Sequence, residues 1–166
     1  IERALEAESI PFVSLGGVVP NPHLSLVYQG VELCRREGVD FILAVGGGSV
    51  IDSAKAIAYG AANEGDVWDF FEKKREAAAC LPLGVVLTIA AAGSEMSNGC
   101  VITNKKSALK RGYDSDLSRA KFAVMNPELT MTLPAYQTAS GAADILMHTM
   151  ERYFKTRTTT WRSAKR

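Results

Sequence analysis

Apolar runs and helical periods follow one another along this chain. Val39–Val45 (VDFILAV, apolar but for Asp40) and Leu83–Leu87 (LGVVL) are short apolar runs, as expected of strands covered on both faces in a parallel sheet. The first of them is expected in the middle of that sheet. Lys121–Met125 (KFAVM) predicts another strand, stopped by Asn126-Pro127, and Val13–Gly17 predicts a short one upstream. Leu24, Val27, Val31 and Cys34 recur at helical spacing. Asn21-Pro22 predicts the start of that helix, with Asn as cap and Pro in the first turn, and Gly38 predicts its end. A second helix, VIDSAKAIAYGAA, is predicted directly after Gly46-Gly47-Gly48-Ser49. Asp66–Glu72 predicts a short helix or turn packing its aromatics, and Cys100–Asn104 with Lys110–Ser115 predicts an antiparallel ribbon. From Thr132 the strand signals cease, and a helix is predicted from Leu133-Pro134 through Phe154. The order strand, helix, strand, helix predicts an α/β fold with a parallel sheet over about Leu15 to Met131.

Composition narrows the function classes. The 166 residues are 47% hydrophobic and 22% charged, ordinary for a soluble globular domain, and the formal charge of +1 offers no field for nucleic acid or an anionic membrane. No apolar run approaches the roughly 20 residues that span a bilayer. Ile1–Glu8 does not read as a signal peptide, so a cytoplasmic protein is expected, and the opening Ile1 predicts that the natural start lies upstream. The three cysteines, Cys34, Cys80 and Cys100, form no C-x-x-C pair and are expected to be reduced, buried thiols. The last twelve residues, KTRTTTWRSAKR, carry five Lys or Arg and no acid, and predict neither helix nor core.

Three places carry candidate chemistry, each with two readings. Glycines between a buried strand and a helix are either a plain turn or a phosphate cradle. A helix N-terminus offers free N–H groups and a positive dipole, and glycine lets the backbone approach the phosphate. The run is not G-x-G-x-x-G, the ordinary dinucleotide fingerprint. Asp144 and His148, four apart, share one helix face, either as a surface ion pair or as ligands for a borderline divalent ion such as Fe²⁺ or Zn²⁺. Thr88 and Ala92-Gly93-Ser94-Glu95 form a loop after a parallel strand, either merely polar or on the edge where such sheets bind ligands. His23, at the start of the first helix, is expected to be solvated.

Taken in order, GGGSVIDSAKAIA, TIAAAGSEMSN, FAVMNPELTMTLP and ASGAADILMHTMERYF resemble the iron-containing (group III) alcohol dehydrogenases, in particular their NAD(P)H-dependent butanol dehydrogenase branch, over about Leu15 to Phe154. The resemblance implies a dehydroquinate synthase-like nucleotide-binding domain over residues 1–131. It implies that residues 132–166 are the start of an all-helical metal-binding domain. It further implies that Gly47, Gly48 and Ser49 hold the pyrophosphate of NAD(P)H, that Asp52 lies near the nicotinamide side, and that Thr88 and Ser94 make adenine- and ribose-side contacts. Lys110 would reach the cofactor and Leu129 would pack near it. Asp144 and His148 would be the first two of four ligands to Fe²⁺ or Zn²⁺. The two remaining histidines of the family lie farther downstream, in a helical domain this sequence does not include, and the strand and loop that choose NAD over NADP lie upstream.

One residue departs from the family pattern. Ala92 stands where the family usually has the Thr of T-G-S-E, removing a hydroxyl from the cofactor side. After Phe154 the sequence leaves the pattern and resembles a frameshifted or truncated end. The activity implied is hydride transfer between NAD(P)H and a small aldehyde or primary alcohol, in a homo-oligomer, with no side chain here assigned as general acid or base. Two other readings remain open. One is a glycerol dehydrogenase-like or dehydroquinate synthase-like enzyme of the same fold; the other is an inactive truncated product.

Overall fold

The computed structural model describes residues 1–154; the basic segment 155–166 lies outside the described residues. Among them, α1 (Glu2–Ala7) precedes an extended stretch, followed by α2 (Leu24–Glu37), β1 (Ile42–Gly46), α3 (Gly48–Ala62), α4 (Trp68–Phe71), β2 (Leu83–Leu87), β3 (Gly99–Asn104), β4 (Leu109–Asp114), β5 (Phe122–Val124) and α5 (Ala135–Phe154). Short 3₁₀ turns occupy Asp116–Ser118 and Pro127–Thr130. The fold is α/β with a parallel sheet ordered β1-β2-β5, beside a separate antiparallel β3-β4 ribbon.

The middle strand is β2, and all five of its residues are buried. It pairs in parallel with β1 (Ile42 opposite Leu83) and with β5 (Gly84 opposite Phe122). β1 is therefore at the edge of the described sheet rather than in its middle, and Val45 is 41% exposed. Its apolar run reflects cover from α3 on one face, where Ala44 and Ile51 are buried together. Helix α3 is the hub, with Ser53 through Gly60 all buried. It packs Ala54 and Ala58 towards the sheet and Ala56, Ile57 and Tyr59 towards α2, α4 and the ribbon. The aromatics expected to pack around 66–72 do so: Trp68 stacks on Phe71, and Tyr59 meets the Tyr113 ring edge-on at 5.1 Å between centroids.

Two local expectations are corrected. Val13–Gly17 forms no strand. It makes no ladder bonds among the described residues, and Gly17 takes φ +86, which breaks an extended run; Val13 and Leu15 instead line a cleft with Val39 and Phe41. Nor does Asn21 cap α2. Asn21 sits at φ +58 with its Oδ1 accepting from Lys110 Nζ at 2.7 Å, while the Pro22 carbonyl accepts from the Thr103 N–H at 2.8 Å. These contacts to the ribbon hold both residues outside the helix, and the cap passes to His23, whose side chain makes no capping bond. His23 is also half-buried rather than fully solvated, bridged to Thr103. Gly38 ends α2 in the left-handed conformation at φ +65, as expected. Cys34 and Cys100 are buried free thiols and Cys80 is half-buried; burial pushes the Cys80 thiol up to about 12. No helix among the described residues is long and apolar enough to cross a membrane.

Candidate functional site

Because β1, β2 and β5 are parallel, their C-terminal ends share one edge, and the glycine turn and Thr88 lie there. β1 runs through Gly46, Gly47 caps the helix in an extended conformation, and α3 begins at Gly48. The turn between strand and helix is thus a single residue, and α3 starts two residues earlier than its apolar period indicates. By helix geometry the N–H groups of Gly48 and Ser49 have no intrahelical acceptor, and they lie at the positive end of a 15-residue helix.

The loop after β2 faces this terminus. The Thr88 N–H donates to the Gly46 carbonyl at 3.2 Å, tying the two strand ends together. A Cβ on Gly48 would stand 3.6 Å from Ala92 Cβ, and one on Gly47 would run into Ile89. The missing side chain at Gly47 lets Ile89 pack directly against the turn, and at Gly48 the backbone faces Ala92 with no side chain between them. Glycines at the turn and N–H groups without an intrahelical acceptor are the features by which a helix N-terminus can receive a phosphate.

One turn into α3, Asp52 reaches the far end of the same loop. Its Oδ1 accepts from Ser94 Oγ at 2.6 Å and its Oδ2 from the Val101 N–H at 3.1 Å. Burial raises its carboxyl above the usual range, while these two bonds and the charges of Lys55 and Lys110 pull the other way. Ser94 is itself buried, so its hydroxyl serves Asp52 in this arrangement. Lys110, on β4, is exposed and reaches Asn21. Leu129, 43% exposed, sits in the 3₁₀ turn just beyond β5.

Asp144 and His148 do share one face of α5: Nε2 and Oδ1 are 3.7 Å apart, and both side chains are more than half exposed. An oxygen and a nitrogen donor suit Fe²⁺ or Zn²⁺. Among the described residues no group of three His, Cys, Asp or Glu forms a cage, so these two would supply only part of one. Helix α5 passes the loop after β2, where a Cβ on Gly141 would lie 3.7 Å from the Ala90 carbonyl oxygen.

Lys55 is the residue that sequence reasoning missed. It is fully buried, and its Nζ donates to the carbonyls of Ser94, Ser97 and Gly99. The one local signal is a lysine set in an Ala-rich stretch of α3, Ala54-Lys55-Ala56-Ile57-Ala58.

A parallel sheet with a glycine turn at its C-terminal edge defines an α/β fold of the nucleotide-binding class. Within that class the chain belongs to the iron-containing alcohol dehydrogenase family, whose sequence profile matches residues 1–127. It is 49% identical over 140 residues to the probable NADH-dependent butanol dehydrogenase 1 of Bacillus subtilis, covering 84% of this chain and 36% of the relative. It is 39% identical over 158 residues to an NADPH-dependent aldehyde reductase of Escherichia coli, covering 92% and 41%. The crystal structure of NADH-dependent butanol dehydrogenase A from Thermotoga maritima has the same fold, with a TM-score of 0.87 at 45% identity over 92% of this chain and 38% of that one. The chain thus spans about two fifths of the length of these relatives.

Proposed function

We propose that this chain is the nucleotide-binding part of a metal-dependent oxidoreductase that moves a hydride between NAD(P)H and a small aldehyde or primary alcohol. In this reading residues 1–131 are the nucleotide-binding domain and residues 132–166 open a helical, metal-binding one, in a cytoplasmic homo-oligomer. The observation that carries it is the single-residue glycine turn between β1 and α3, which leaves the Gly48 and Ser49 N–H groups at the helix start without a side-chain cap. The N–H groups of Gly48 and Ser49 would receive the pyrophosphate, with Thr88 and Ser94 on the adenine and ribose side. Asp52 and Lys110 would border the rest of the cofactor, and Leu129 would pack against it. Asp144 and His148 would hold Fe²⁺ or Zn²⁺ together with donors from outside the described residues. When bound, the nicotinamide supplies the hydride and the ion polarises the carbonyl oxygen.

The test has two arms. Titrating the 166-residue chain with NADH and with NADPH, followed by cofactor fluorescence, is expected to give saturable binding; its absence for both would overturn the cofactor assignment. Adding Fe²⁺ or Zn²⁺ anaerobically with butyraldehyde is expected to give no turnover from this polypeptide alone, because two donors from one helical turn do not hold an ion as a three- or four-ligand cage does. Metal-dependent NADPH oxidation would show that the two donors suffice or that a second copy completes them.

A further inference from the structure

Lys55 has no exposed surface, and its ammonium sits among four oxygens: Ser94 O and Ser97 O at 2.8 Å, Gly99 O at 2.9 Å and Ser97 Oγ at 3.2 Å. None of the four is a formal anion. Burying an ammonium without a paired carboxylate is costly, and an apolar side chain would fill the same volume without that cost. The arrangement is accounted for by what the charge does to the loop, whose carbonyls at three positions all turn inward to one point. Carbonyl oxygens converging on a single positive charge are how proteins hold a bare monovalent cation, replacing its hydration shell.

We propose that Lys55 is a tethered monovalent cation: a positioning residue whose ammonium folds residues 94–99 around itself and fixes that loop on α3. Three residues earlier on the same helix, Asp52 holds Ser94 Oγ and the Val101 N–H, so α3 grips both ends of the segment. With both grips in place the Ser94 hydroxyl and the loop backbone have one position beside the glycine turn. This role rests on the cofactor reading above only for what the loop is positioned to meet. Burial pushes the Lys55 amine below its ordinary range, and Asp52 is among the groups opposing that shift.

The experiment compares the wild-type chain with Lys55→Met, which keeps a linear side chain but no donors, and with Lys55→Ala, which leaves room for an added amine. Amide hydrogen exchange reads the loop directly. In Lys55→Met, amides of residues 94–101 are expected to exchange at least tenfold faster while those of α2 and β2 keep their rates. In Lys55→Ala, propylammonium chloride is expected to restore loop protection, and tetramethylammonium chloride at equal ionic strength is not, because it has no N–H to donate. If Lys55→Ala unfolds without the amine, the same comparison is read as recovery of helical circular dichroism. Wild-type protection of the loop in Lys55→Met, or equal response to the two ammonium salts, would overturn the proposal. NADH titration of the wild type decides the cofactor reading independently of these rates.

Discussion

Replacing Gly48 separates the two readings of the glycine turn, because folding and ligand binding should respond in opposite directions. Gly48 is the first residue of α3, and a Cβ there meets only Ala92 Cβ, at the ordinary contact distance of 3.6 Å. Gly48→Ala therefore needs no repacking. Removing a glycine from a helix contributes at most about 0.5–1 kcal/mol of stability, less at a terminus than in the interior. For a chain of this size that corresponds to a melting temperature unchanged or raised by up to about 4 °C. The same methyl stands at the helix start beside Ala92, where a phosphate oxygen would need to approach the backbone N–H groups to about 2.9 Å. NADH affinity is expected to fall at least tenfold, about 1.4 kcal/mol, and Gly48→Val, with two more carbons, should abolish it. Thermal melts by circular dichroism and NADH titration by fluorescence measure the two effects on one preparation. Affinity within twofold of wild type in both variants would refute the phosphate role, and a melting temperature lowered by several degrees in Gly48→Ala would mark the glycine as structural.

Ala92 is exposed beside the start of α3, so Ala92→Thr is tolerated sterically. One regained hydroxyl contact, about 0.5–1.5 kcal/mol, should tighten NADH binding up to about tenfold in a fluorescence titration; unchanged affinity would mean that position 92 does not face the cofactor. Tyr59→Phe removes a buried hydroxyl that donates to the Ser115 carbonyl at 3.2 Å, an oxygen that also accepts from Ser118. Because that acceptor keeps a partner, urea unfolding should show a loss of only about 0.5–1.5 kcal/mol, and a loss above about 3 kcal/mol would point to a larger role. Asp52 has a folded-state pKa raised above 3.8 by burial, so the folded chain holds its proton more tightly than the unfolded one. Its ionisation then costs stability as pH rises from the ordinary carboxylate value through the raised one. The stability of wild type relative to Asp52→Asn should accordingly decline across that interval in urea titrations at stepped pH, and a pH-independent difference would contradict it.

The elements were legible where one residue type decides them. Leu83–Leu87 reads as a strand because every position is apolar, and it is the strand buried on all sides. Gly38 reads as a helix end because its φ of +65 suits glycine. What the sequence hid is set by distant partners. Asn21-Pro22 has the local form of a helix start, yet Lys110 and Thr103, more than 80 positions away, hold it outside the helix. The order of strands is not written in their hydrophobicity, so an apolar β1 at the edge looked central. At the candidate site, Asp144 and His148 were placed on one face by spacing alone, since four residues is nearly one helical turn. The pairing of Asp52 with Ser94 across 42 positions has no local signature, and the burial of Lys55 is marked only by the Ala-rich stretch around it.

The sheet order also has a kinetic consequence. Ile42 pairs with Leu83 and Gly84 with Phe122, separations of 41 (83 − 42) and 38 (122 − 84) residues, and each connection carries other elements in between. The ribbon closes over only four residues, between Asn104 and Leu109. Loop closure must be completed before a long-range contact returns any energy, so hairpins form in microseconds and parallel pairings late. The ribbon can therefore be present while β1, β2 and β5 are still apart, with Leu83, Val85 and Leu87, all buried in the folded chain, uncovered. An unpaired apolar β2 is then the chain's principal opportunity for intermolecular strand addition, and refolding yield should fall with protein concentration more steeply than equilibrium stability alone would require.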